Sequence, residues 1–281
     1  MKSFVLMSFF LLCSFLSADT IHVGYEASSL NALTRKDLTI ASDIWLKEMA
    51  REINYETQSH VYDDPAQMVQ DLADNKLDYV AASGLVFVKY FDLSKLEDGF
   101  ASGFFNGEKE TFVILVQKES GIKSVEDLRN KTIALQKDDT IVSFYLEERF
   151  SKNNTSQNLL LEEFPTRQRA LLKLFFNNVQ AAVITNKSYE LAKELNPQIG
   201  EKIKILEATN IEATNFGFLR KNLNENTKKI LRSVSKNVHT SERGRTLLTL
   251  YKTEIITDSK LKDLKPFEEL YKKNQATNKE K

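Results

Sequence analysis

The sequence predicts an α/β protein of two similar lobes, and three observations carry the prediction. Segments rich in β-branched residues alternate with segments whose apolar residues recur at helical spacing, the order expected of parallel βαβ units rather than of a sandwich. That order occurs twice. DLADNKLDYVAAS in the first half and LFFNNVQAAVIT in the second each read as a helix, an asparagine turn and a strand with a double alanine. Composition agrees: 281 residues with 42% hydrophobic and 28% charged side chains resemble ordinary globular proteins, enough for one large domain or two modest lobes.

The chain opens with one lysine, an apolar stretch from Phe4 to Leu16 and the small residues Ser17 and Ala18. This is a secretory signal peptide in form, residues 1–18, with cleavage expected near Ala18. A membrane span needs about 20 apolar residues, so a cleaved signal is read in preference to an uncleaved anchor. The only cysteine, Cys13, lies inside this segment. Cleavage leaves a thiol-free chain, which suits an oxidising compartment and excludes thiol catalysis. Leu11 and Leu12 stand where lipid attachment at Cys13 would want small residues.

Past the signal, Ile21 to Ser28 begins as a strand, and Leu38 to Ile53 has apolar residues at helical spacing. A strand around Thr57 to Val61 follows, then a helix from Pro65 to the Asn75 turn, then the strand LDYVAAS. The second half repeats the grammar. TFVILVQ (Thr111 to Gln117) and TIALQ (Thr132 to Gln136) are strands, separated by SVEDLRNK, a short helix with Ser124 as its cap. Residues 140–152 read as helix, Leu159 to Glu163 as a strand, and RQRALLKLFFNN as an amphipathic helix running into the strand VQAAVIT. Trp45 reads as core packing, and Thr209 to Asn215 as a hinge loop.

Charge and motifs exclude several functions. With 39 basic and 39 acidic residues the formal charge is zero, and no basic patch points to nucleic acid. The histidines His22, His60 and His239 stand singly, without metal-ligand spacing. No glycine-rich phosphate loop, nucleophile elbow or paired-carboxylate motif occurs, so neither an enzyme, a metal site nor a cofactor is expected.

What remains is a crevice. Open parallel sheets bind ligands beyond the carboxyl ends of their strands, and the third strand stops there on Ser83-Gly84, a hydroxyl beside unobstructed backbone amides. A tight turn with a helix cap is the alternative for the same residues. Asp78, at the other end of the strand, reads as a turn residue.

The string KLDYVAASGLVFVKY, followed by TFVILVQKESGIKSVEDLRNKTIALQKDDT, resembles the periplasmic phosphate, phosphite and phosphonate substrate-binding proteins of ABC transporters, within the type 2 periplasmic-binding-protein fold. The second string is the more specific, and the resemblance runs from about Ile21 to Ile256. It implies two lobes, each a mostly parallel sheet flanked by helices, joined by two crossing strands and hinged over a small ligand. Lobe 1 would comprise residues 19–111 and 221–281, and lobe 2 residues 112–220, with TNFGFLRKNL as the return crossing.

The family's pocket carries over unevenly. Its positions match Tyr25 and Glu26 after the first strand, and Ser83 and Gly84 after the third. In lobe 2 they match the loop Lys137-Asp138-Asp139-Thr140 with Ser143 one turn on, and Arg167 beside Thr166, where the family often has a histidine. Thr140 and Ser143 would bond an oxyanion with help from helix amides, and Arg167 would suit an anion through its fork. Asp138, Asp139 and Glu26 depart from that chemistry, and Gln180 replaces an aspartate that usually precedes the last lobe 2 strand. A zwitterion such as an aminoalkylphosphonate would reconcile the charges. So would aspartates that face solvent or cap a helix.

The resemblance therefore implies a monomeric periplasmic solute-binding protein that takes a small anionic or zwitterionic ligand to a membrane permease. A periplasmic sensor subunit acting on a membrane histidine kinase or cyclase is the competing reading, and an enzyme on the same scaffold a third.

Overall fold

A computed structural model describes residues 20–27, 35–50, 55–137, 139–151, 159–250 and 253–279. Residues 1–19, with Cys13 and the segment read as a signal, and Asp138 lie outside the described residues.

The first half runs β1 (Thr20–Glu26), α1 (Arg35–Ala50), β2 (Glu56–Tyr62), α2 (Pro65–Ala73), β3 (Tyr79–Ser83), α3 (Gly84–Tyr90) and β4 (Leu96–Gly103). The middle runs β5 (Thr111–Gln117), β6 (Thr132–Gln136), α4 (Thr140–Ser151), β7 (Leu160–Phe164), α5 (Arg167–Phe175), β8 (Ala181–Thr185), α6 (Asn186–Leu195), α7 (Pro197–Lys202) and β9 (Ile203–Glu212). The chain then returns through β10 (Asn215–Arg220), α8 (Glu225–Asn237), α9 (Glu242–Leu250), β11 (Ile255–Ser259) and α10 (Lys265–Lys279).

Sheet A has the order β11-β4-β10-β3-β1-β2 and sheet B the order β7-β6-β8-β5-β9. Setting β11 aside, the two orders match strand for strand. In each, three parallel strands are followed by a reversed strand that has crossed from the other half: β10 in sheet A, β5 in sheet B. The rest of each sheet builds on that reversed strand. The asparagine turns match too. Asn75 and Asn177 both take φ of 59°, a left-handed conformation that asparagine tolerates better than most residues.

Two sequence expectations change. Residues 215–220, read with lobe 2 as part of the return crossing, form a strand of sheet A, where Phe216, Phe218 and Leu219 are buried. Likewise Thr209 to Glu212 remain in β9, which pairs with β5 as far as Thr111↔Glu212, so only residues 213–214 lie outside strands. The SVEDLRNK segment narrows to a 3-10 turn at Val125–Leu128, closed by a capping box between Ser124 and Asp127.

One apolar cluster joins both sheets. It gathers Val80 and Phe218 of sheet A, Ile114 and Ile133 of sheet B, and Phe87, Leu146 and Phe267 from α3, α4 and α10. A second lies between sheet B and α5 to α7, and a third between sheet A and α1 and α8. Helix α10 packs on both α3 and α4. Tyr271 stacks on Phe144 at 6.3 Å between centroids, and the Asn274 amide donates to Glu147 Oε2 at 3.1 Å. Phe267 lies against Gly84, where an added Cβ would fall 2.4 Å from its ring.

That contact explains why β3 ends on Ser83-Gly84. The Ser83 hydroxyl caps α3 by accepting from the Val86 N–H at 3.4 Å, and the glycine makes room for Phe267. Overpacking of this kind costs about 1–3 kcal/mol, so Gly84→Ala should lower stability by that amount in denaturant unfolding. In combination with Phe267→Leu the loss should be smaller than the sum of the two. Strictly additive losses would show that the residues do not meet.

Candidate ligand-binding site

Strands β6, β7 and β8 run parallel, so the N-termini of α4, α5 and α6 lie along one edge of sheet B. Unpaired N–H groups there favour an anion. The caps differ. Thr166 accepts from the Arg169 N–H at 3.2 Å and Thr185 from the Ser188 N–H at 3.2 Å, each through its hydroxyl. The fully buried Thr185 also donates to Ser188 Oγ at 2.8 Å.

At α4 the arrangement is different. Asp139, only 5% exposed, directs its carboxylate at Arg167, whose Nη2 donates to Oδ2 at 3.0 Å. It therefore neither faces solvent nor stands as an unpaired charge: the loops before α4 and α5 are bridged by an ion pair. The Arg167 guanidinium also lies 5.2 Å from the centroid of the Phe112 ring, a cation–π contact at the start of sheet B. Its Nε is buried and has no hydrogen-bond partner among the described residues. A buried donor left unsatisfied costs about 1–3 kcal/mol, which a ligand oxygen would recover. Thr140 is exposed at the first position of α4, while the Ser143 hydroxyl donates to the Asp139 carbonyl at 3.3 Å.

Tyr25 and Glu26 end β1 and are both buried, at 7% and 2% exposure. They sit at the carboxyl edge of sheet A, as does Ser83. The edges of the two sheets are linked by the crossings at 104–110 and 213–214, which are themselves bonded together. Ala213 N–H donates to the Glu110 carbonyl at 2.8 Å, and Lys109 pairs with Glu212. Asn186, at the start of α6, accepts from the Thr111 N–H and donates to the Lys109 carbonyl, both at 3.1 Å. Gln180 lies at the opposite edge of sheet B, where its side chain accepts from the Thr132 N–H at 2.9 Å.

Sequence reading treats the histidines as isolated, yet the β1/β2 register brings two of them together. His22 Nδ1 and His60 Nε2 are 3.1 Å apart. Burial, with His22 second, pushes the His60 pKa below its ordinary value, against the weaker pull of Asp71 and Asp43. A depressed histidine binds fewer protons folded than unfolded. Its contribution to stability is therefore full above the unfolded pKa of about 6.5 and is lost as pH falls through the lowered folded value. Between about pH 7.5 and pH 5.5 the melting temperature should fall more steeply for the parent than for His60→Gln. Parallel slopes would remove the pair from the account.

Against known proteins, the model of a family described as ABC transporter, phosphonate, periplasmic substrate-binding protein matches residues 32–264. A search of curated proteins finds no match. Among solved structures, the chain is similar to a binding protein component of an ABC phosphonate transporter from Pseudomonas aeruginosa, at 18% identity and a TM-score of 0.64 over 93% of this chain and 88% of that one. It is similar to PhnD1 from Prochlorococcus marinus in complex with methylphosphonate, at 15% identity and a TM-score of 0.66 over 92% and 98%. The aliphatic sulphonate binding protein SsuA from Escherichia coli follows at 16% identity and a TM-score of 0.55 over 93% and 94%. At such identities these likenesses concern the fold alone, two helix-flanked sheets of the type 2 periplasmic-binding-protein class.

Proposed function

Because the chain belongs to the family of periplasmic phosphonate-binding proteins of ABC transporters, we propose that it captures a small oxyanion between its two lobes and delivers it to a membrane permease. The family is one of substrate-binding proteins rather than enzymes. The oxyanion is a phosphonate, phosphite or phosphate, or an amino-bearing relative. Lobe 1 is the half around sheet A and lobe 2 the half around sheet B, closing about the crossings at 104–110 and 213–214.

The observation that carries this reading is Arg167. Its guanidinium is held on one nitrogen by Asp139 while its buried Nε lacks a partner among the described residues, beside three helix N-termini. An anionic oxygen would complete it. Asp139 then acts as the positioning partner of the arginine rather than as a contact to a cationic ligand. Tyr25, Glu26 and Ser83 would border the ligand from lobe 1, and Thr140 and Ser143 from the first turn of α4.

Calorimetry with methylphosphonate, phosphite, phosphate and aminoethylphosphonate tests the reading. A hydrogen bond to a charged group is worth about 1.5–3 kcal/mol, so Arg167→Ala should weaken the best of these by roughly tenfold or more. Arg167→Lys should recover part of that loss, because a point charge replaces the fork. If all four oxyanions fail to bind, or bind Arg167→Ala as tightly as the parent, the proposed site is wrong.

A further inference from the structure

An oxyanion held at Arg167 engages lobe 2, and the lobe 1 side of the same crevice has a different chemistry. A slot of about 100 Å³ runs between α1 and sheet A. Its outer end lies at the carboxyl edge of the parallel strands, where Tyr25 stands near the end of β1 and Asn215 opposite Ser83. Further in it is walled by Trp45 of α1 and by the rings of Tyr79 and Phe100, whose centroids are 6.2 Å apart.

Strand alternation decides which side chains reach the slot. Tyr25, Tyr79 and Ala81 share the face of sheet A that packs with Ile21, Val23 and Leu219 under α1. The same alternation turns Glu26 to the opposite face, where its register partner Tyr62 packs on the large cluster. Small residues keep the space open: Ala81 of β3 and Gly217 of β10 are register partners, and both line it. A Cβ at Gly217 would fall 1.5 Å from the Tyr79 hydroxyl oxygen, so the phenol lies across β10 only because a glycine stands there.

Among the described residues no acidic or basic side chain lines the slot. Its hydroxyls are engaged with the backbone: Ser102 accepts from the Asn215 N–H at 3.3 Å, and Thr253 donates to the Gly103 carbonyl at 2.8 Å. A charged group entering this space would lose its water and gain no counter-charge. A carbon chain would lose only unfavourable contact with water.

We propose that this slot is the specificity subsite for the ligand's substituent, so that the protein selects phosphonates bearing a short apolar chain. Inorganic phosphate and phosphite leave the slot unused, and a chain ending in an amine carries charge into it. The inference rests on the oxyanion reading, with the phosphonate group at Arg167 and the chain directed across the crevice into lobe 1. Each methylene taken out of water tightens binding by about fourfold until the slot is full.

Calorimetry with phosphate, with methyl-, ethyl-, propyl- and butylphosphonate, and with aminopropylphosphonate, equal in length to the butyl compound, tests it. From methyl to propyl the affinity should rise by about tenfold or more, and butylphosphonate should bind about tenfold more tightly than aminopropylphosphonate. Trp45 is the only tryptophan in the chain, and its emission should change more with propylphosphonate than with phosphate. Ala81→Val, which narrows the slot, should remove the rise along the series. Ile256→Phe, which fills it from β11, serves if that variant does not fold. A flat or falling series in the parent, a rise that survives in the filled variant, or tighter binding of the amine overturns the inference and leaves the oxyanion reading standing. If neither phosphate nor any phosphonate binds, or all bind Arg167→Ala as tightly as the parent, the oxyanion reading fails and the inference with it.

Discussion

Sheet A depends on a single arginine at the end of the returning strand. Strand β10 joins β3 to the β4–β11 half of the sheet, so its register sets the whole layer. Arg220 fixes that register: Nε donates to the Leu77 carbonyl at 2.9 Å, Nη1 to Asn75 Oδ1 at 2.9 Å and Nη2 to Asp78 Oδ1 at 2.8 Å. The other carboxylate oxygen of Asp78 accepts from the His22 N–H at 3.0 Å, so β1, β3 and β10 are tied by one pair of side chains. A slip of one residue would turn Phe216 and Phe218 out of the large cluster and onto the wrong face. Asp78, which sequence alone marks as a turn residue, is thus the centre of the clamp. Because Leu219 lies opposite Tyr79, Asn215 is placed opposite Ser83 at the carboxyl edge of the parallel strands.

The same logic of paired charges governs lobe 2. A carboxylate in a cleft reads as repulsive to an anion when it is considered alone, and Asp139 has that aspect in the sequence. Bridged to Arg167 it becomes part of a near-neutral unit that aims the remaining guanidinium N–H groups. Residues 28 positions apart meet because β6 and β7 are parallel neighbours whose following loops emerge side by side.

Legibility followed local pattern. TFVILVQ and TIALQ are readable to the residue, since unbroken apolar runs flanked by polar turns admit little else. The asparagine turns likewise announce themselves. Strand β4 does not. LEDGFASG holds two glycines and no β-branched residue, yet it pairs with β10 so closely that a Cβ at Gly99 would lie 2.1 Å from the Gly217 carbonyl oxygen. The glycine that hides the strand is the one that permits it. The histidine pair and the Asp139–Arg167 bridge escape for another reason: both arise from register between strands, which no window of sequence contains. Trp45 packs as the sequence suggests, against the cluster of Ile21, Val23 and Leu219 between α1 and sheet A.

Helix α10 gives the molecule an order of assembly opposite to its order of synthesis. A nascent chain that has reached residue 212 holds every strand of sheet B, whereas sheet A still lacks β10 and β11 and the shared cluster lacks Phe267 and Leu270. The lobe translated first is therefore the last to be completed. Strands β3 and β4 lack the partner between them until β10 is made, and the shared cluster stays open until Phe267 and Leu270 of α10 follow.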